Sequence, residues 1–209
     1  MSGFDLVAAA AIGYLLGGIP SAAIAARLRG KRIFEVGSGN MGAMNTARNL
    51  GFGLGFAVLA ADIAKGALAA LLGLAMGGLL GTPPDGARFL ALVAGVAAVV
   101  GHAWSPYVGF KGGKSLATAF GASLPVYVWG GLAGLVMITA LALIFRRSGP
   151  ATGLTLPVYP VLIYLATMRA TADQELAFAA ATAGLAIAIV VLVKHLALWL
   201  KARRSRAGG

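Results

Sequence analysis

The segment that decides the fold is residues 4–26, FDLVAAAAIGYLLGGIPSAAIAA, in which Asp5 is the only charged residue. As an α-helix this segment would extend about 34 Å, which is enough to cross the hydrocarbon core of a bilayer. A cleaved signal peptide would begin with basic residues, and no basic residue precedes this segment. The segment therefore predicts a first transmembrane helix.

The composition of the whole chain is typical of an integral membrane protein. Of its 209 residues, 59% are hydrophobic and 11% are charged, and the mean hydropathy is +0.88. Soluble domains contain about 25% charged residues. The chain has no cysteine, which excludes disulfides, thiolate nucleophiles and thiolate metal sites. We therefore predict an all-α, polytopic membrane protein that forms a single domain over residues 1–209.

Six further apolar runs follow the first, at residues 50–80, 89–103, 116–124, 126–145, 154–168 and 176–200. Only the run at 116–124 is short, and we expect it to form a short helix that breaks near Pro125. Seven crossings would place the N-terminus outside and the C-terminus in the cytoplasm.

The distribution of basic residues favours this seven-helix topology. It places on the cytoplasmic side Arg27, Arg29, Lys31, Arg32, Arg48, Lys111, Lys114, Arg146, Arg147, Lys194, Lys201, Arg203, Arg204 and Arg206. The other basic residues are Arg88 and Arg169 outside and Lys65 within a membrane segment. If run 116–124 did not cross, Arg146 and Arg147 would lie outside, against the positive-inside tendency. The net charge of +11 then reflects topology and attraction to anionic lipid, above all in the basic tail at 201–209.

The first polar motif is GSGNMGAMNTAR, at residues 37–48. Its glycines let backbone amides approach an anion closely, and its serine, asparagines and arginine add side-chain donors. A glycine-rich turn that only packs helices would not need these polar residues. The motif also matches the dinucleotide pattern GxGxxG, but the acidic partner that this pattern requires would be Asp62, which lies in a membrane-spanning run. We therefore predict a phosphate-binding loop and reject a nucleotide fold.

The second polar motif is GHAWSPYVGFKGGKSLATAFG, at residues 101–121. Lys111 and Lys114 flank two glycines at the start of the short helix, which also favours phosphate binding, although positive-inside anchoring alone could explain the lysines. A P-loop is excluded because Val108 stands where its first glycine should be. His102 is either hydrogen-bonded to backbone at its helix end or functional.

A third group contains charges within predicted membrane helices. Asp62 and Lys65 are three residues apart in ADIAKG, and they form either a structural pair or a pocket wall. Lys194 is expected to snorkel to the interface, and His195 to serve a site or to meet water.

Together these motifs resemble the bacterial acyl-phosphate:glycerol-3-phosphate acyltransferase (PlsY) family of membrane enzymes. The resemblance rests on GYLLGGIPSA, GSGNMGAMNTARNLG, ADIAKG and GHAWSPYVGFKGGKSLATAFG, which lie between residues 13 and 121. The family's seven-helix topology with an outside N-terminus agrees with the charge distribution above.

The resemblance implies transfer of a fatty acyl group from acyl phosphate to the 1-hydroxyl of glycerol 3-phosphate, giving lysophosphatidic acid and phosphate in phospholipid biosynthesis. It implies a multi-pass protein of the bacterial inner membrane with its active site facing the cytoplasm, no cofactor, no metal and no nucleic acid. The lipid bilayer and an upstream enzyme that makes the acyl phosphate are implied partners. The oligomeric state and the acyl-chain preference are left open.

The site residues implied by the matching motifs fall into two groups. The catalytic residues are Ser38, Arg48, Lys114 and His195. The substrate-binding residues are Gly37, Gly39, Asn40, Gly42, Asn45, His102, Lys111, Gly112 and Gly113.

The chain departs from the family pattern at four positions, which are Phe34 for arginine, Met44 for threonine, Ser115 for glycine and Leu198 for asparagine. The asparagine is associated with the active site in the family. An alternative therefore stays open, in which the chain is a catalytically altered homologue that binds or transports a phosphorylated solute.

Overall fold

The computed structural model describes the backbone of residues 1–145 and 148–207. The side chains of residues 138, 142, 143, 146–151 and 201–209 lie outside the described part, and so do the predicted positions of Arg146, Arg147 and the basic tail. The described helices are α1 (Gly3–Gly18), α2 (Ser21–Arg27), α3 (Ala43–Leu50), α4 (Phe52–Leu79), α5 (Pro84–Ala103), α6 (Leu116–Phe145), α7 (Ser148–Thr171) and α8 (Gln174–Ala207). Short 3₁₀ turns lie at Ile33–Glu35 and Pro106–Val108. The predicted all-α fold is confirmed.

The predicted first helix is interrupted at Ile19 and Pro20. Ile19 has an extended ψ of 119°, because the ring of a following proline disfavours the helical conformation. The break leaves the last carbonyl groups of α1 without helical partners. Ser105 Oγ donates to the Gly18 carbonyl at 2.6 Å, and Lys65 Nζ donates to the Ile19 carbonyl at 2.8 Å. These two hydrogen bonds connect the end of α1 to α4 and to the loop after α5.

The expected break near Pro125 is present as a kink inside α6. Tyr127 leaves the helical conformation, with φ −140° and ψ 58°. A Cβ built on Gly131 would lie 2.7 Å from Ser123 Cβ, whereas residues eight apart in a straight helix are separated by about 12 Å. The chain therefore folds back on itself at Tyr127. Residues before the kink pack on α4, where Gly121 meets Ile63, and residues after it pack on α7, where Gly134 meets Tyr159.

Helices pack closely where glycine faces another backbone. Gly13 and Gly17 of α1 lie against Ala94 and Ala98 of α5, and Gly66 of α4 lies against Thr118 of α6. Small residues at such positions let helices approach closely in a membrane, where van der Waals packing drives association. These contacts hold the ends of α1, α5 and α6 together at the loops described below.

Five helical segments of the described chain are long and apolar enough to cross a membrane: Gly3–Arg27, Phe52–Leu79, Pro84–Ala103, Leu116–Leu141 and Gln174–Leu200. The fourth of these contains the kink at Tyr127. Helix α7 is not among them, and it carries Pro157, Pro160 and Arg169. The count of seven crossings and their orientation stay predictions.

Candidate functional site

The first glycine-rich loop is shaped from within by Asn45, at the start of α3. Its Nδ2 donates to the carbonyls of Val36 and Asn40, both at 3.0 Å. Its Oδ1 accepts from the backbone N–H of Ser38 at 3.1 Å and from Asn49 Nδ2 at 3.1 Å. This amide uses both donors and both acceptor sites inside the loop. Asn45 therefore holds the loop in shape, and a direct contact with substrate stays a prediction.

Two glycines of this loop adopt the left-handed conformation that side chains disfavour. Gly37 has φ +55° and Gly39 has φ +64°. The loop leaves Ser38 and Arg48 exposed, while Asn40 is half-buried and Met41 is fully buried. Ser38 and Arg48 are therefore available to a ligand at the surface of the loop.

The second glycine-rich loop follows α5 and returns to the end of that helix. The backbone N–H of Ser105 donates to the Lys111 carbonyl at 3.1 Å, and that of Gly113 donates to the His102 carbonyl at 3.1 Å. A Cβ on Gly113 would collide with His102 Nε2 and with the carbonyl oxygen of Met41. Gly113 is thus the point at which the second loop meets the first. The two predicted phosphate loops are in contact.

Lys111 and Lys114 have different surroundings in the second loop. Lys111 is exposed, and its Nζ lies 5.5 Å from the centre of the Phe34 ring, which stands where the similar family has arginine. Lys114 is half-buried, and burial lowers the pKa of its ammonium. Among the described residues neither lysine has an acidic partner. Both charges are therefore free to neutralise an anion.

Ser115 replaces the family glycine at a position with φ +64°, which explains the family's preference. Here the serine is buried, and its Oγ donates to the Val99 carbonyl at 2.9 Å. This hydrogen bond offsets part of the backbone strain. Met44, another departure, is exposed.

A buried charged cluster lies beneath the two loops. Asp62 Oδ1 is 2.8 Å from Lys65 Nζ and 3.5 Å from His102 Nδ1. All three residues are buried, with 2%, 6% and 4% of their surfaces exposed for Asp62, Lys65 and His102. The sequence indicated the Asp62–Lys65 pair but not its contact with His102, which is distant in the chain. The one feature of the sequence that could have indicated this contact is the presence of three polar residues within apolar helices.

Helix α8 adds Lys194 and His195. Lys194 is buried, and its Nζ lies 5.0 Å from the centre of the Trp104 ring, an arrangement that stabilises a cation. The expected snorkelling of Lys194 to the interface stays a prediction, and the structure adds the contact of its ammonium with the Trp104 ring. His195 is half-buried and within electrostatic range of Lys114, and its Nδ1 has no hydrogen-bond partner among the described atoms. Trp104 and Met41 contact the candidate residues Lys194 and Gly113, and the sequence did not single either of them out.

The candidate site combines the backbone amides of two glycine-rich loops with four cations. Arg48, Lys111, Lys114 and Lys194 each lack a carboxylate partner in the part of the chain that the structure describes. The half-buried Lys114 and the buried Lys194 favour a bound anion most, because water screens a charge poorly in partly dry surroundings. The arrangement is suited to a ligand or ligands carrying phosphate.

The chain is similar to known acyltransferases along most of its length. A family model described as glycerol-3-phosphate acyltransferase matches residues 7–201. Glycerol-3-phosphate acyltransferase 1 of Dehalococcoides mccartyi is 43% identical over 162 residues, which cover 73% of each protein. The glycerol-3-phosphate acyltransferase of Desulforudis audaxviator is 35% identical over 217 residues, which cover 99% of this chain and 98% of the relative.

Solved structures of the same kind share the fold. A crystal structure of PlsY, an integral membrane glycerol 3-phosphate acyltransferase, in its glycerol 3-phosphate form matches with a TM-score of 0.75 and 26% identity. Its lysophosphatidic acid form matches with a TM-score of 0.73 and 25% identity. Each comparison covers 96% of this chain and 93% of the other. The chain therefore belongs to the glycerol-3-phosphate acyltransferase family of integral membrane enzymes.

Proposed function

We propose that this acyltransferase uses acyl phosphate as donor and transfers its fatty acyl group to the 1-hydroxyl of glycerol 3-phosphate, at the cytoplasmic face of the bacterial inner membrane. The observation that carries the proposal is the contact between the two glycine-rich loops at Gly113 and Met41. Donor and acceptor each carry a phosphate. Two anion-binding loops in contact would hold both substrates close enough to react.

The reaction needs no covalent intermediate on the enzyme. The 1-hydroxyl oxygen attacks the carbonyl carbon of the mixed anhydride, and a new carbon–oxygen bond forms. The bond between the carbonyl carbon and the phosphate oxygen then breaks, and the hydroxyl proton leaves with the released phosphate. Acyl phosphate is already activated, so the protein's work is to position the substrates and to neutralise charge.

The cations take distinct parts in this proposal. Lys114 would neutralise the phosphate that leaves, because its ammonium is half-buried and free of an acidic partner among the described residues. Ser38 and Arg48, on the exposed surface of the first loop, would bind the other phosphate. His195 would line the site within electrostatic range of Lys114.

The experiment measures phosphate release from palmitoyl phosphate by purified protein in the presence of glycerol 3-phosphate. Lys114→Ala and Ser38→Ala should each lower the rate about 100-fold or more, as loss of a transition-state donor does. Palmitoyl-coenzyme A replaces palmitoyl phosphate in a parallel reaction and should give no lysophosphatidic acid.

Lys31→Ala is the matched control, because Lys31 is an exposed lysine on the predicted cytoplasmic side, before the first loop. This variant should release phosphate at the wild-type rate. Wild-type rates in Lys114→Ala, or acyl transfer from palmitoyl-coenzyme A alone, would contradict the proposal.

A further inference from the structure

The buried cluster beneath the loops connects several separate parts of the fold. Asp62 and Lys65 lie on α4, and His102 lies at the end of α5. Lys65 Nζ contacts Asp62 Oδ1 and donates to the Ile19 carbonyl, each at 2.8 Å. The helix break leaves the Ile19 carbonyl without a partner in α1. The C-terminal end of a helix carries partial negative charge, which favours the Lys65 ammonium there. The Asp62 carboxylate and the Ile19 carbonyl therefore fix the Lys65 ammonium, and Lys65 fixes the Asp62 carboxylate.

Among the described residues, Asp62 is the one candidate partner for His102 Nδ1. This atom is buried and makes no hydrogen bond among the described residues, and Asp62 Oδ1 lies 3.5 Å away. The gap exceeds the usual length of such a bond by about 0.5 Å, so a small shift would close it. A buried ring nitrogen without a partner is costly. The carboxylate therefore favours the tautomer with the proton on Nδ1.

The other side of the same imidazole touches both loops. His102 Nε2 and the Met41 carbonyl oxygen both lie closer to the place of a Cβ on Gly113 than a real Cβ would allow. The ring thus fills the space beneath the contact between the loops. A rotation of the ring would move Gly113, and with it the adjacent Lys114.

We propose that Asp62, held by Lys65, is a positioning residue for acyl transfer: it fixes the orientation of His102, and His102 sets the spacing of the two phosphate loops. This inference rests on the proposed function for its consequence in catalysis. Its structural part, the fixed imidazole, stands apart from the identity of the acyl donor.

A purely stabilising ion pair would behave differently from a positioning device. Replacing a buried ion pair by apolar residues of similar size is often neutral or stabilising, whereas removing one partner leaves a costly unpaired charge. Two neutral double variants therefore separate the roles. Asp62→Leu with Lys65→Met removes the acceptor for His102, and Asp62→Asn with Lys65→Gln keeps one.

Activity and thermal unfolding in detergent are measured for both double variants. The Leu/Met variant should unfold below the wild-type temperature, because the Ile19 carbonyl loses its Lys65 donor, but should remain folded at the assay temperature. Its kcat/KM for glycerol 3-phosphate should fall about 100-fold, as expected when reacting groups are displaced. The Asn/Gln variant should keep most of the activity. A matched control is Asp85→Asn with Arg88→Gln, which removes a surface pair of the same spacing together with the 3.7 Å contact of Arg88 to Asp173, and should leave kcat/KM unchanged. Wild-type activity in the Leu/Met variant, or equal losses in both neutral variants, would overturn the proposal.

A spectroscopic measurement keeps the proposal testable if a variant fails to fold or if the donor is wrong. The chain has two histidines, so a ¹⁵N-histidine spectrum contains two imidazoles, and His195→Gln assigns them. We expect His102 of the wild type to be the neutral tautomer with the proton on Nδ1. A proton on Nε2 instead would overturn the proposal whether or not phosphate release is observed.

Discussion

Gly113 has no room for a side chain. Its Cβ would collide with His102 Nε2, at the end of α5, and with the carbonyl oxygen of Met41, in the first loop. Replacement by alanine would push the loops apart or displace the imidazole. We expect Gly113→Ala to lower kcat/KM about 100-fold, since a shift of about 1 Å at the reacting groups has an effect of that size. The rate of phosphate release measures it.

Gly53→Ala is the control for this substitution. Gly53 lies near the start of α4, and nothing lies within 4 Å of the place of its Cβ. This variant should keep the wild-type rate and gain about 0.5–1 kcal/mol in stability, because alanine favours a helix. A wild-type rate in Gly113→Ala would show that the loop contact is dispensable.

We expect the alkaline limb of the pH–rate profile to report the titration of Lys114. Burial lowers the pKa of its ammonium, and only the charged form neutralises phosphate. The value of kcat/KM should therefore fall as pH rises through that lowered pKa. In Lys114→Arg the cation stays charged, so the fall should move to higher pH even though the maximal rate is lower. Equal alkaline profiles in the two proteins would assign the fall to another group.

The sequence could indicate which residues form the site but not how they are divided between binding and support. Asn45 was predicted to bind substrate because it lies in a polar motif, yet its amide is fully used within the loop. Asp62 and His102 are 40 positions apart, on different helices, so no local pattern relates them. Their contact depends on the packing of α4 on α5, which periodicity alone does not determine.

At the level of elements, the reversal inside α6 depends on Gly131. A Cβ on Gly131 would collide with Ser123 Oγ, which lies on the other side of the kink at Tyr127. Gly131→Ala should destabilise the protein by about 1–3 kcal/mol through overpacking, measured by unfolding in detergent. The added change Ser123→Gly should recover part of this loss.

Gly153→Ala, in α7, is the matched control, since its Cβ would have nothing within 4 Å. It should be neutral or stabilising. If Gly131→Ala and Gly153→Ala behave alike, the two halves of α6 do not pack against each other.

The two helix breaks were not equally predictable. Pro125 and the short apolar run before it indicated the kink, which lies two residues later at Tyr127. The sequence did not indicate the break at Pro20, because the apolar run continues through this residue and one proline does not always end a membrane helix. The hydrogen bonds from Ser105 and Lys65 make that break favourable, and both donors come from other parts of the chain.

For the whole molecule, the basic residues predict which end of the bundle faces the cytoplasm. The chain has no cysteine, so single cysteines can report on each side. Lys31→Cys and Gln174→Cys both replace exposed residues, at predicted inner and outer ends. In right-side-out membrane vesicles an impermeant maleimide should label only Gln174→Cys, and both after detergent is added. Labelling of Lys31→Cys before detergent would reverse the orientation.

The most direct test of the central claim is the stoichiometry of the reaction in purified wild-type protein. With palmitoyl phosphate and glycerol 3-phosphate, the two adjacent loops should give lysophosphatidic acid and phosphate in equal amounts. Phosphate release should fall to the protein-free rate when glycerol 3-phosphate is omitted. Folded protein that binds glycerol 3-phosphate but forms no lysophosphatidic acid would contradict the account and favour a homologue that only binds or transports its ligand.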